Sequence, residues 1–365
     1  MLLLPALAIV SGCSTFKFYT QAIHGQYEIF AHQKSVEKLI ADPQTPADLK
    51  KQLELVQELR AFARTELKLP VDGHYRRYAD VRRPYVVWNV EAAPEFSLEA
   101  KTWWYPLVGS LEYRGYFSER GASNYAAVLQ KKGWDVYVDG VEAYSTLGWF
   151  KDPLLNTFVF RPAPELAEIL FHELGHQRVF ARGDTDFNEA FATTVGQEGA
   201  RRWLRAKGDE ETREKYAKSL RRNDQFVHLI QNARERLGKI YGDELDKNGK
   251  NKATKKQRPI SQAALGREKQ RAFDDLRRDY QMLKEQWGGY AGYDDWFAAD
   301  LNNARLNSVA TYYDFVPGFE RLLELTGGDL EKFYQAVERL AEKSKEERHQ
   351  QLKRLGSAAP DTVTF

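Results

Sequence analysis

Two histidines four residues apart, in Phe171-His172-Glu173-Leu174-Gly175-His176, constrain this chain more than any other feature of its sequence. On an α-helix such a pair is turned by only about 40°, so both imidazoles reach one metal ion while the glutamate after the first projects beside it. The stretch must then be helical, and the run Glu165 to Phe180 carries a helical pattern. The spacing makes His172 and His176 zinc ligands and Glu173 the base toward a water that the ion has made acidic. Two ligands are too few: catalytic zinc takes three from the protein and leaves the fourth position to water. A second element therefore has to fold back onto the first.

The sequence supplies one at once. Asn188-Glu189-Ala190-Phe191-Ala192 begins twelve residues after His176 and opens another helical stretch. Between them Arg182-Gly183-Asp184-Thr185-Asp186 has the chemistry of a reversing turn. A carboxylate in the first turns of the second helix then faces the histidine pair, which makes Glu189 the third ligand, with Asp184, Asp186 and Glu198 as rivals. A zinc-bound imidazole usually donates its other N–H to a carboxylate or carbonyl, and Asp186 and Glu198 both lie near enough in sequence to serve. Gly175 inside the metal helix costs about 1 kcal/mol relative to alanine. Close approach of another backbone or simple tolerance each accounts for it.

The rest of the chain reads as α+β. Residues Phe18 to Lys68 are predicted helical, with Tyr19, Ile23, Tyr27 and Phe30 at helical spacing. A second helix opens at Thr45-Pro46 with the face Leu49, Leu53, Val56, Leu59 and Phe62. From about Tyr75 to Phe160 the texture changes to aromatic and β-branched runs, such as Tyr85-Val86-Val87-Trp88 and Trp134 to Val138, broken by Gly and Pro, and predicts a small mixed sheet. Beyond Pro164 the pattern is helical almost to the end. There Phe273, Leu276, Tyr280, Leu283 and Trp287 mark a buried stripe. A polar stretch from Lys247 to Arg258 carries six positive charges and no acidic residue, and reads as a solvated loop or an anchor on anionic head groups.

With 54 Lys+Arg against 52 Asp+Glu the net charge is +2, too balanced for a dedicated nucleic-acid binder. The single cysteine excludes an internal disulfide and a cysteine-rich metal site. Its position is informative, because Met1 to Gly12 is an apolar run, too short to span a bilayer, that ends in Val10-Ser11-Gly12 directly before Cys13. This resembles a lipoprotein signal with its lipobox. The resemblance implies an acylated Cys13 as the first residue of the mature chain, with Ser14 after it suiting the outer membrane of a Gram-negative cell and the protein facing the periplasm.

His172 to His176 followed by Gln177, with Asn188 to Ala192 downstream, resembles the gluzincin metallopeptidases, in particular the alanyl-aminopeptidase-like enzymes with their H-E-x-x-H-Q and N-E-G-F-A strings. The gap between second histidine and glutamate is shorter here by about one and a half helical turns. The chain as a whole is similar to a bacterial lipoprotein family called putative zinc aminopeptidases. The resemblance implies one Zn2+, a zincin-like fold in a single metallopeptidase unit over residues 13–365, and hydrolysis of peptides in the cell envelope. It implies that substrate adds as a strand to an edge such as Gly140 to Trp149, with Glu142, Ala143 and Tyr144 at the binding position and Glu142 holding the substrate's free amine. It also implies an oxyanion donor on a later helix, where Tyr312 is chosen over Tyr313, with His228 as a further candidate. The competing functions are an envelope endopeptidase and a non-catalytic envelope scaffold or binding lipoprotein.

Overall fold

The predicted helical N-terminal quarter resolves into pieces because Gln33 to Ser35 leaves the helix to pair with a strand. The computed structural model describes residues 5–106, 109–143, 151–242 and 261–357. Helix α1 (Pro5–Ala31) is followed by β1 (Gln33–Ser35), α2 (Val36–Ala41) and α3 (Ala47–Thr65). Ser35 caps α2 by accepting the Lys38 amide N–H, and Pro46 closes the entry to α3. The α3 face is as the spacing predicts: Leu53, Val56 and Leu59 are fully buried, with Leu49 and Phe62 packed at the margin. The helical spacing in α1 marks its outer face. Tyr19, Ile23 and Tyr27 are exposed, while Phe18, Gly25 and Ile29 face inward. The interior side is set by a close contact: a Cβ on Gly25 would lie 2.1 Å from the Phe117 ring.

The middle of the chain contains β2 (Arg77–Ala79), β3 (Val87–Pro94), β4 (Trp103–Tyr105), β5 (Gly109–Leu111), β6 (Tyr113–Tyr116), helix α4 (Glu119–Gln130), β7 (Trp134–Val141) and β8 (Leu154–Leu155). The helix α4 is absent from the sequence prediction. Its signal is a Ser118 cap on the Gly121 N–H and three small or apolar inward residues, Ala122, Ala126 and Leu129. The sheet that matters for the site runs β6-β3-β7, antiparallel throughout, with Asn89 opposite both Gly115 and Asp139, and Glu91 opposite both Tyr113 and Tyr137. One face of it carries Trp88, Val90 and Val136, which form a core with α4 and Phe18. The alternation of strand side chains sends Val87, Asn89 and Glu91 to the opposite face. Two smaller sheets, β1-β2-β8 and β4-β5, complete the β structure.

The remainder is helical: α5 (Ala163–Arg178), α6 (Thr185–Lys207), α7 (Glu210–Tyr241), α8 (Gln262–Gln286), α9 (Asp294–Ala298), α10 (Asn303–Tyr313), α11 (Val316–Leu325), α12 (Leu330–Ala341) and α13 (Lys345–Ser357). The class is mixed α+β, largely helical, and none of the described helices is long and apolar enough to cross a membrane. A main core joins α3, α5, α6, α11 and α12 through Leu53, Leu170, Phe171, Phe191, Phe319 and Phe333. A second core joins α7 and α8, where Phe273, Leu276 and Tyr280 are buried, Leu283 and Trp287 pack at the edge, and Tyr280 stacks on Phe297 at 4.0 Å. Helix α10 is tied to the sheet by its asparagines: Asn302 donates to the Val136 carbonyl, Asn303 to the carbonyls of Pro94, Glu95 and Ser97, and Asn307 to that of Leu98.

Helices α5 and α6 cross where side chains are smallest. A Cβ on Gly196 would meet the Glu168 carbonyl oxygen at 2.8 Å and the His172 Cβ at 3.1 Å. Gly175, by contrast, has ordinary contact distances to Ala192 and Val195, so tolerance rather than necessity explains it. Gly196→Ala is therefore expected to force the two helices apart at a backbone oxygen that cannot give way, at a cost of roughly 1–3 kcal/mol. Urea unfolding should show that loss, and Gly175→Ala should show little; equal effects of the two substitutions would contradict the crossing described.

Candidate metal centre

Helix α5 starts after Pro162, which fixes the chain direction, and ends at Arg178 with the Val179 N–H still bonded to the Gly175 carbonyl. The return to α6 is short and heavily bonded. Gly183 takes φ +75°, a conformation that suits glycine, and the buried Asp184 caps α6 by accepting the Phe187 N–H. The Asn188 side chain donates to the Ala181 carbonyl at 2.8 Å and accepts from its N–H at 2.7 Å, so one amide stitches the loop to the helix it precedes. The last helix braces the same point. Arg348 Nε lies 3.0 Å from Asp184 Oδ2, and His349 Nε2 lies 2.8 Å from its Oδ1.

The result is convergence. His172 Nε2 and His176 Nε2 are 3.2 Å apart, and Glu189 Oε2 lies 3.4 Å from the first and 3.5 Å from the second. A tetrahedral ion with ligand bonds of about 2.0–2.2 Å spaces its donors on the order of 3.4 Å apart. The three atoms thus have the separation of the edges of such a coordination sphere, in a donor set of two imidazoles and one carboxylate. Among the described residues a second group, Asp184, Asp186 and His349, has its donors close together. There Arg348 and Lys345 already supply positive charge to Asp184, which leaves that cluster reading as a structural ion-pair network.

Electrostatics around the triad follow from burial. Burial on its own would raise the Glu189 carboxyl, but His176 and His172 hold it well below the usual carboxylate range. Burial lowers His172; it also opposes the charge on His176, where the facing Glu189 outweighs it and the net shift is upward. Glu173 is pushed up to about 8, chiefly by burial and against the attraction of His176. Its Oε2 is buried without a hydrogen-bond partner among the described residues, as is His176 Nδ1.

The cavity over the triad has a volume of about 530 Å³ and is bounded by His172, Glu173, His176 and Glu189 on one side and by Val87, Asn89 and Tyr113 of the sheet on the other. Phe18, Tyr105, Phe117 and Phe180 make it largely apolar. Tyr312 lines it as well, with its ring 6.4 Å from that of His172, whereas Tyr313 packs between the two helical cores. His228 is exposed on α7 and is not among the lining residues. Val141 and Ala143 border the cavity, but the Glu142 carboxylate between them is taken by Arg161, with Nε at 2.9 Å and a second contact through Nη2. Tyr144, with the rest of residues 144–149, lies outside the described residues, as does the basic stretch 247–258. Cys13 falls in the N-terminal half of α1.

Neither expected orienting carboxylate reaches the orphaned histidine nitrogen. Glu198 is drawn off by Arg201 and Arg202, and Asp186, raised by burial to about 7, sits in the cluster with Asp184 and His349. After Glu189, the further carboxylate that acts on both Glu173 and His176 is Asp152, which sequence reasoning missed. It is buried with His74, 3.4 Å away, and accepts a hydrogen bond from Gln177 on the metal helix. Nothing in its local sequence marks it, because His74 is 78 positions distant and the pair exists only in the fold.

The family model described as Putative aminopeptidase matches residues 17–352. The chain belongs to this family. No curated protein and no solved structure matches it. Membership in an aminopeptidase family assigns the protein a peptide substrate, and the triad, Glu173 and Tyr312 all lie within the matched residues.

The raised Glu173 pKa gives a stability test on the metal-free protein. Its folded value, about 8, exceeds the ordinary 4.5, so the folded chain binds the extra proton and loses stability as pH climbs from about 4.5 to 8. Glu173→Gln removes that loss. In chelator, the variant should match the wild type near pH 4.5 and exceed it by a few kcal/mol near pH 8; a difference independent of pH would show that Glu173 is not desolvated as described.

Proposed function

We propose that the protein is a zinc-dependent aminopeptidase of zincin-like fold that acts in the cell envelope. The observation that carries the reading is the mutual spacing of His172 Nε2, His176 Nε2 and Glu189 Oε2, at 3.2 to 3.5 Å, with an unpartnered Glu173 oxygen beside them. These three residues would hold one Zn2+, which when bound supplies a Lewis acid to polarise the scissile carbonyl and to acidify a water. Glu173 takes the proton from the attacking water and delivers it to the leaving amine. Its elevated proton affinity, a product of burial, suits both halves of that transfer.

Tyr312 stays protonated, because the Glu189 charge and burial raise its hydroxyl well above the ordinary value. It therefore remains a donor for the oxyanion that develops on the carbonyl. The asparagine anchors of α10 hold that helix, and with it Tyr312, against the sheet. The aromatic lining of the cavity favours substrates with apolar or aromatic residues at the cleaved bond. The lipobox reading of Val10 to Cys13 supports attachment through an acyl group on Cys13 at a membrane outside the cytoplasm, in the outer membrane of a Gram-negative cell. An endopeptidase is the second reading, favoured by one observation: the carboxylate expected to hold a free amine, Glu142, is engaged by Arg161.

The test is metal content together with turnover of leucyl peptides. The wild type should carry one zinc per chain and cleave them. Glu173→Gln should keep the metal and lose turnover by about 10²–10⁴-fold, whereas His172→Ala and Glu189→Ala should lose the metal itself. A chain that retains zinc yet cleaves no peptide, free or amino-blocked, would be a scaffold or binding protein, and this reading would fail.

A further inference from the structure

The cavity wall opposite the triad is polar at one place only along β3. Asn89 is buried to 8% exposure, lines the cavity, and makes no hydrogen bond through its carboxamide among the described residues. The amide borders the cavity, and its Oδ1 lies over Gly115, where a side chain would meet it at 3.3 Å. Gly115 thus leaves open the face toward which Asn89 points.

Two carboxylates flank this amide on the same face. Asp139 is directly opposite Asn89 across the β3-β7 ladder, and Glu91 is two residues along β3. Side chains directly opposite, or two apart on one strand, share a sheet face. Glu91 also borders a small cavity walled by Tyr113 and Tyr312, both of which line the main cavity, so the acidic patch is continuous with the metal site. Neither carboxylate has an ion-pair partner among the described residues. Asp139 accepts a hydrogen bond from the Tyr137 hydroxyl at 3.1 Å, and Arg305, the nearby cation, lies over the Tyr137 ring at 4.8 Å instead of pairing. An ammonium group presents three donors and no acceptor. One amide oxygen and two carboxylates are a matching set of three acceptors.

We propose that Asn89, Glu91 and Asp139 form the subsite that receives the positively charged α-amine of the substrate. The proposal rests on the peptidase reading above, and it replaces Glu142 in the role of amine acceptor. Substrate would lie between the triad and the sheet, its amino terminus against β3 and its first side chain in the aromatic part of the cavity. Longer peptides then extend away from the acidic floor, so the enzyme removes residues from one end.

The experiment measures binding of leucine amide, N-acetyl-leucine amide and N-acetyl-lysine amide to the zinc-loaded full chain by calorimetry, alongside kcat and KM for leucyl and N-acetyl-leucyl peptides. The wild type should prefer leucine amide over both acetylated ligands. Glu91→Gln, Asp139→Asn and the near-isosteric Asn89→Leu should each weaken leucine amide by about tenfold or more, appear mainly in KM, and leave the acetylated ligands unmoved. Zinc content and circular dichroism establish that each variant is folded. The proposal is overturned if the wild type binds acetylated and free ligands alike, if the variants keep the preference, or if N-acetyl-lysine amide binds as well as leucine amide, which would make the floor a side-chain pocket. If the preference is present and lost in the variants while no peptide is cleaved, the subsite stands and the peptidase reading falls.

Discussion

The close crossing of α5 and α6 is the contact on which the convergence of His172, His176 and Glu189 depends. Two histidines on one helix offer only an edge of a coordination sphere, and the third corner has to come from a helix whose axis passes close enough for a glutamate to reach. Gly196 permits that approach by leaving room for the Glu168 carbonyl and the base of His172. Phe171, next to His172, and Phe191, two residues after Glu189, are fully buried in the same core, so the apolar packing that holds the helices also fixes the rotation of the triad side chains. Ligand geometry and hydrophobic stability are thus properties of one interface.

The connection between those helices shows how a short return replaces a long one. Asn188 supplies both a donor and an acceptor to the backbone of Ala181, and Asp184 caps the helix that carries Glu189. A buried carboxylate with no exposure needs compensation, and α13 provides it through Arg348 and His349. Burial alone would raise Asp184; hydrogen bonding and charge from His349, with Lys345 and Arg348, bring it below its ordinary value. The asparagine and glutamate that adjoin in the motif therefore have separate tasks, one for the loop and one for the centre. The C-terminal helix, far from the site in sequence, belongs to the same structural unit.

What could be read from the sequence was what is local. The helix through His176, the turn at Gly183 and the α3 face are set by residues within a turn or two of one another, and the structure has them where the spacing puts them. The orientation of α1 was not local. Tyr19, Ile23 and Tyr27 have the spacing of a buried face, but the opposite face has Gly25, which alone allows the Phe117 ring to close in. Helix α4 escaped because alanine and glycine carry little hydropathic contrast, and its burial comes from Val90 and Trp88 across the sheet. Asp152 and Asn89 escaped because each takes its place from residues far away in sequence, Asp152 from His74 and Asn89 from the strands that bring it to the cavity.

The distribution of charge around the cavity completes the argument. Glu173 and Glu189 put carboxylates at the helix side of an otherwise apolar space, and Glu91 and Asp139 lie on the face of the sheet whose Val87 and Asn89 line its other side; burial raises Glu173, Glu91 and Asp139 while the histidines lower Glu189. Desolvated carboxylates that repel one another are tolerated where positive charge is expected to arrive. On the helix side the charge that fits is a divalent ion, because imidazole and carboxylate atoms meet at a point. On the sheet side it is an ammonium, because the acceptors are spread over three residues with no nitrogen ligand among them. The same negative field suits both, and the different geometry of the two walls distinguishes the cation proposed for each. In a peptide with a free amino terminus the positive end and the first carbonyl belong to one residue, a single α-carbon apart, so the proposed floor and the candidate triad must be served by adjoining parts of the same cavity.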